Sequence, residues 1–253
     1  MFSAAGPGVI ATAGTKAAGF VTTAIEFATG TAYVTATDPG LFAADSDKFT
    51  MSFWFTSAAD TGEGIIFSVL QSAPTTSSFV VYITGADVIN FRTGSGGPMF
   101  QRTTTTFNRT DEAWHHVLYS WNNGTPQCYI DGISETLTDT TSNTGNINFS
   151  TSTDDPIIGA ADTAGDRGHE GAISELYLMV GTQIDLSVQA NREKFYSATG
   201  KAVDLGIDGS TPTGGAPELY WRGNIADDKK NEGSGPNFDA SAGTSAAATS
   251  PPT

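Results

Sequence analysis

Residues Phe49-Thr50-Met51-Ser52-Phe53-Trp54-Phe55 alternate without a break. Phe49, Met51, Phe53 and Phe55 fall on one side of an extended chain, and Thr50, Ser52 and Trp54 fall on the other. A helix repeats about every 3.6 residues and would scatter the four apolar side chains around its circumference, whereas a strand gathers them on one face. The segment therefore predicts a strand with one face committed to an aromatic core and the other facing solvent or a partner.

The same period recurs along the chain. Ile25 and Phe27 share a face, and Gly64–Leu70 is apolar on both faces, as a central strand would be. Phe79–Ile83 and Val88–Phe91 flank Gly85-Ala86-Asp87 and predict a hairpin. Trp114–Trp121 is turned by Asn122-Asn123-Gly124 and returns as Gln127–Ile130, where Asp131-Gly132 turns it again. Asn-Gly and Asp-Gly supply the positive φ that tight hairpins require. In Gly171–Val180, Ile173, Glu175, Tyr177 and Met179 form one side of a strand, and Ala172, Ser174, Leu176 and Leu178 form the other. One helix is predicted from Val188 to Tyr196, capped by Asp185 or Ser187 and anchored by Phe195. Residues 138–155 read as a long surface loop.

Short strands with turn signals between them predict an all-β fold, a two-sheet antiparallel jelly-roll sandwich. Residues 1–20 read as an N-terminal arm, 21–198 as the jelly roll, and 199–253 as an extended tail packing on the sandwich or on neighbours. Leu219-Tyr220-Trp221 is an edge-strand candidate within that tail.

Composition narrows the partners. Asp and Glu number 27 against 12 Lys and Arg, a formal charge of -15. A polyanion repels phosphate backbones, which argues against nucleic acid as a partner. No apolar run approaches the roughly 20 residues that span a bilayer, so no membrane insertion is expected. The single cysteine, Cys128, forms no internal disulfide and reads as a small buried apolar residue. Met1 to Gly8 lacks a basic stretch and is broken by Gly6 and Pro7, so no secretory signal is expected. Without one, the glycosylation-type triplets at Asn108, Asn123 and Asn148 carry little meaning.

Motifs for chemistry are sparse. His115 and His116 are consecutive strand residues that point to opposite faces, so they cannot ligate one metal from one face and read as structural. His169-Glu170 is not a metalloprotease site, because Ile173 stands where the second histidine belongs. Glu170 and Glu175 are the nearest acid pair, at odd spacing on a strand, and read as rim and surface acids. Nucleophile-elbow, phosphate-loop, dinucleotide-loop and C-x-x-C patterns are all missing from the sequence. The expectation is therefore no catalysis and no cofactor, with one exception to weigh. Asp154, Asp155 and Asp162, with Asp166 nearby, are hard oxygen donors on loops and are candidate calcium ligands, although loops of an acidic chain carry such residues as ordinary surface acids. Trp54 is the candidate glycan-binding residue, since sugar rings stack on flat aromatic faces. Its competing reading, which the pattern favours, packs it under a second layer or a loop.

Three motifs in order resemble the laminin-G-like, concanavalin A-like domains. They are Phe49-Thr50-Met51-Ser52-Phe53-Trp54-Phe55, then Trp114-His115-His116-Val117 running through Trp121 and Gly124 into Tyr129-Ile130-Asp131-Gly132, then Gly171-Ala172-Ile173-Ser174-Glu175-Leu176. The resemblance covers roughly residues 22–197 and implies the jelly-roll fold, in which some members bind calcium at the rim or hydrolyse glycans. Residues 200–214 and 233–238, with the Thr249-Ser250-Pro251 ending, are similar to the tails of jelly-roll proteins in tailed-bacteriophage structural gene clusters. That likeness implies a virion localisation, as a non-enzymatic head decoration or a tail-fibre or tail-tip component. Its implied partners are other virion proteins and copies of itself, with cell-surface glycans as a further partner. The alternative is a free extracellular carbohydrate-binding module.

Overall fold

A computed structural model describes residues 20–27, 30–36, 41–42, 44–57, 62–70, 77–94, 99–103, 112–142, 144–149, 155–243 and 246–253. The N-terminal arm, apart from Phe20, lies outside the described residues. In chain order the first strands are β1 (Ile25–Phe27), β2 (Tyr33–Thr35), β3 (Lys48–Phe55), β4 (Gly64–Leu70), β5 (Ser77–Ile83), β6 (Ile89–Thr93), β7 (Met99–Thr103) and β8 (His115–Asn122). They are followed by β9 (Thr125–Ile130), β10 (Ile133–Ser134), β11 (Leu137–Ser142), β12 (Asp155–Ile158), β13 (Gly171–Val180), β14 (Leu219–Trp221), β15 (Ala240–Ala242) and β16 (Ala246–Ala247).

Two antiparallel sheets form the sandwich. The first runs β10-β9-β8-β3-β13-β1-β16, with β14 also paired to β13, and the second runs β11-β7-β6-β5-β4-β12-β2-β15. The alternation of β3 holds as expected on its inner face: Phe49, Met51, Phe53 and Phe55 are all fully buried in the core. Across the gap between sheets, Tyr119 of β8 stacks on Phe91 of β6 with centroids 3.9 Å apart, and Phe49 meets Phe79 of β5 edge-on at 5.2 Å. The hairpin turns behave as their residues require, with positive φ at Asn123 and Gly124 and again at Asp131 and Gly132.

Several sequence expectations are corrected. The far side of β3 does not face solvent: Thr50, Ser52 and Trp54 are at most 2% exposed. Thr50 bonds both the Thr182 carbonyl and the Ile184 amide, so the segment after β13 folds back over this face. The start of the 138–155 loop is edge strand β11, paired with β7; threonines suit a pleated edge even without apolar alternation. The helix is only one turn, α1 (Gln189–Arg192), and neither expected cap serves it: Val188 occupies the cap position, while Asp185 Oδ1 accepts from the Ser187 amide and hydroxyl. Phe195 does anchor the segment, buried edge-on against Tyr177 at 5.1 Å.

The largest difference is the tail. Residues 199–253 supply strands to both sheets: β14 on β13, β15 on β2, and β16 on β1. Trp221 and Tyr220 are fully buried. The last residues are tied in as well, through the Thr22 hydroxyl to the Pro251 carbonyl and the Ala202 amide to the Pro252 carbonyl. Low-complexity Ala/Ser composition hides this, because short strands lying on existing edges need backbone groups more than side chains.

The entry of β14 depends on one distortion. One flank of β13 is shared end to end, by β1 along Gly171–Ile173 and by β14 along Leu176–Leu178. Between them the register against β3 shifts, and Glu175 adopts φ +50. Such a bulge re-aims its side chain. The Glu175 carboxyl turns into the seam at 3% exposure, accepts from the Tyr220 hydroxyl through Oε2, and lies with Oε1 3.6 Å from Arg222 Nε. That last distance is beyond hydrogen bonding, so the attraction is Coulombic. Arg222 in turn holds the Val21 carbonyl, and Ser174 holds the Thr23 carbonyl, which fixes the incoming chain to the same seam.

Two outcomes follow from this packing. Trp221→Ala should lower unfolding free energy by about 3–5 kcal/mol in urea titration, the usual cost of emptying a buried large aromatic site; an unchanged midpoint would show that β14 is an ornament. Burial raises the Glu175 carboxyl from its ordinary 4.5 to about 7, against the opposing pull of Tyr220 and Arg222. The unfolded chain thus loses this proton at lower pH than the folded one, so stability should fall as pH rises from about 5 to 8, by on the order of 3 kcal/mol for this group. Glu175→Gln should flatten that slope, and a slope that survives the substitution places its origin elsewhere.

Candidate functional site

The two outer faces of the sandwich differ. Over the first sheet, Leu118, Tyr177 and Tyr220 are sealed by Ile184, Leu186, Phe195 and Leu205. Trp54 belongs to this covered side: it packs 4.9 Å from the His116 ring and stacks on Tyr196 at 5.6 Å, and at 2% exposure it offers no free face to a sugar. The candidate glycan-stacking role is thereby corrected to packing, because the 181–205 segment returns across β3.

The histidines divide as alternation requires. His115 Nδ1 pairs with Asp131 Oδ2 at 2.8 Å. His116 lies on the covered face with Nε2 2.9 Å from the Ser52 hydroxyl. This serine–histidine pair does not make a nucleophile. Burial holds His116 down to about 3, so the ring is neutral, and Asp131 engages the neighbouring ring and the His116 amide instead. Cys128 is buried, and burial pushes its thiol well up, which leaves it inert.

Of the calcium candidates, Asp154 lies outside the described residues. Asp155 opens strand β12. Asp162 Oδ1 accepts the amides of Ala164 and Asp166 and so holds its own loop. Among the described residues no three His, Cys, Asp or Glu side chains gather as a metal site. Arg222 separates two small clefts, one with Thr23, Asn224, Asp227 and Lys230, the other with Phe20, Asp204 and Ile207. Both are lined by charges of mixed sign, and Lys230 is already paired with Glu232 at 2.9 Å.

The second sheet is different. Ile89 and Phe91 of β6 point into the core, so Asn90 and Arg92 point outward. The register sets Asn90 beside Tyr82 of β5 and Arg92 beside Val80. The cluster on this face is small, Ile65, Val80 and Tyr82 with Ala161 of the loop before β13. Around the Tyr82 hydroxyl stand Arg92, which hydrogen-bonds it, and the ion pair of Arg167 with Glu63 at 3.2 Å; burial and Glu63 raise the Tyr82 hydroxyl above its ordinary value. Asn90 is 2% exposed, and its amide nitrogen is buried without a hydrogen-bond partner. A buried orphan donor costs about 1–3 kcal/mol and calls for an explanation. Arg92, two positions along the same face, is exposed. This constellation of amide, phenol and guanidinium is the candidate binding site. Sequence reading missed it because Asn90 and Arg92 look like ordinary polar positions of a half-exposed strand; the one available signal was their alternation with Ile89 and Phe91.

Comparison with known proteins agrees with the architecture. Among solved structures, a candidate carbohydrate-binding protein from Bacteroides ovatus superposes with a TM-score of 0.61 at 16% identity, over 92% of this chain and 62% of its own. This chain therefore spans less than two thirds of that protein's length. The CBM40 of a Ruminococcus gnavus IT-sialidase, solved with α2,3-sialyllactose, gives a TM-score of 0.49 at 13% identity, over 65% of this chain and 92% of its own. A SAP-like pentraxin of Limulus polyphemus gives 0.47 at 14% identity, over 65% of this chain and 78% of its own. No curated protein sequence matches the chain. The family described as the Concanavalin A-like lectin/glucanases superfamily matches residues 28–180 of the 253, from just before β2 to the end of β13, and the chain belongs to that family.

Proposed function

We propose that this chain is a non-catalytic binding module that presents the outer face of its second sheet to carbohydrate. The observation that carries the reading is Arg92, an exposed guanidinium on the outward side of β6 that stands by the Tyr82 hydroxyl. Sugars present many hydroxyl acceptors, and polar groups set on a rigid sheet can engage them without reorganisation. The likeness of fold to a candidate carbohydrate-binding protein supports the same reading. The non-catalytic part rests on where reactive groups are spent: His116 is neutral against Ser52, and Glu175 is closed into the β13–β14 seam. The chain would act as a structural component of a tailed-phage virion, either a head decoration or a tail-fibre or tail-tip module. The similarity of residues 200–214 and 233–238 to the tails of such proteins supports that setting.

Glycan-array screening of the full chain should return saccharide ligands, and Arg92→Ala should weaken the best of them about tenfold, the loss of one charge-assisted hydrogen bond. Trp54→Ala should instead lower stability by about 3–5 kcal/mol through lost packing. Absence of any saccharide ligand, or turnover of one, would end the reading. For the setting, mass spectrometry of purified phage particles encoded beside this gene should detect the chain in stoichiometric amount; its confinement to the soluble fraction would favour a free carbohydrate-binding module.

A further inference from the structure

Where β1 gives way to β14 along β13, two buried polar atoms face each other without a hydrogen bond. They are Glu175 Oε1 and Arg222 Nε, 3.6 Å apart. A buried acceptor and a buried donor this close and still unjoined mark a contact held open from elsewhere. The Arg222 fork is drawn the other way, because its Nη2 donates to the Val21 carbonyl at 3.1 Å. Val21 belongs to the entering chain, residues 20–23, which crosses the seam with the Val21 side chain 67% exposed. Hydrogen bonds tie this segment down. The Ser174 hydroxyl donates to the Thr23 carbonyl, and the Thr23 hydroxyl donates to the Arg222 carbonyl. The chain's last residues are clasped at the same place: the Thr22 hydroxyl donates to the Pro251 carbonyl, and the Ser250 hydroxyl donates to the Thr22 carbonyl. A segment tied in this way opens locally before a packed core does.

We propose that Glu175 and Arg222 form a proton-governed latch on the two chain ends. With the carboxyl protonated, Arg222 holds the Val21 carbonyl and both ends stay clasped. With the carboxyl ionised, Arg222 closes on the carboxylate and lets residues 20–23 go, together with 250–253. A guanidinium bonds a carboxylate about twice as strongly as it bonds a neutral carbonyl, and the Nε gap needs to shrink by less than about 1 Å. The groups facing the carboxyl are Tyr220 of β14, which donates to Oε2, Arg222 just beyond it, and Asp204 of the segment before β14. Asp227, Lys230 and Glu232 stand on the cleft side of Arg222. Burial first, and the Asp204 charge with it, keep the proton on Glu175 up to about 7. The closed state therefore binds this proton more tightly than the open one, so the clasp is firm at low pH and loosens as pH rises through neutrality. The latch would set by pH whether the ends lie on their own sandwich or are free of it.

The test is amide hydrogen exchange of the full chain, resolved by NMR and corrected for the intrinsic exchange rate, at about pH 5 and about pH 8. Ala202 and Ala248 report on the clasp, since their amides bond the Pro252 and Ala24 carbonyls. Amides of β8 report on global unfolding. Protection at the clasp should fall about tenfold or more between the two conditions, and at the higher pH it should lie well below that of β8. Glu175→Gln, which has no proton to lose there, should hold clasp protection constant. Tyr220→Phe removes the hydrogen bond to Oε2, so the carboxyl should keep its proton longer and the fall should extend to higher pH. Equal protection at the clasp and in β8 would mean that the ends leave only with the whole fold, and it overturns the latch while leaving the global pH slope standing. Clasp protection that is constant with pH in the unaltered chain, or that still falls in Glu175→Gln, overturns it as well.

Discussion

Tyr119 and Phe91 are stacked across the sandwich at 3.9 Å, and Phe49, Phe79 and Phe149 close around them. The rest of the molecule depends on this contact. Each ring comes from an alternating strand, and each strand must hold its register for the rings to meet, since a slip by one residue would send Phe49 and Phe91 outward. With no disulfide available to a chain with one cysteine, the aromatic layer carries the cohesion that a smaller domain would seek from covalent links. It also fixes which residues remain for function: once Ile89 and Phe91 point inward, Asn90 and Arg92 must point outward.

The two outer faces then diverge because of where the chain goes next. After β13 it turns back across β3 and β8, bonding Thr50 and Ser120 and laying Tyr196 on Trp54 and His116. That layer removes one face from any binding role and neutralises His116 by burial. The second sheet receives no comparable apolar cover among the described residues, only Ala161 against Ile65, Val80 and Tyr82. A rigid sheet with outward polar groups is a good platform for recognition, because its backbone is already ordered and little entropy is lost on binding.

The segment beyond the family match completes the fold. The match ends at residue 180, yet β14, β15 and β16 all lie after it and extend both sheets. Their attachment converges on the bulge at Glu175, where β1 gives way to β14 along the flank of β13. Gly171 shows how tightly that strand is set: at φ +138, a side chain there would place its first carbon 2.3 Å from the Thr56 carbonyl oxygen. A strained, buried carboxyl at such a junction is costly in isolation, and here the Tyr220 hydroxyl and the Arg222 charge offset part of that cost while binding the incoming chain.

Local chemistry determined much of this protein in advance. The period of two in Phe49–Phe55 dictated a strand, the Asn123-Gly124 and Asp131-Gly132 pairs dictated hairpin turns, and the order of the motifs dictated the jelly roll. These are properties of neighbouring residues, and so the linear chain displays them. In Gly171–Val180, by contrast, the alternation breaks at the Glu175 bulge, which puts Ile173 on the core side with Leu176 and Leu178 rather than with Tyr177 and Met179. Tertiary structure alone decided that the outer face of β3 is covered, because its alternation is the same whether Trp54 meets solvent or Tyr196. It alone brought Asn90, Tyr82, Arg92 and Arg167 together, from three separate strands or loops, and it alone turned an Ala/Ser-rich tail into strands. Those outcomes come from pairings between residues far apart in the chain, where backbone hydrogen bonding and the exclusion of water from a shared surface outweigh the preference of any single side chain.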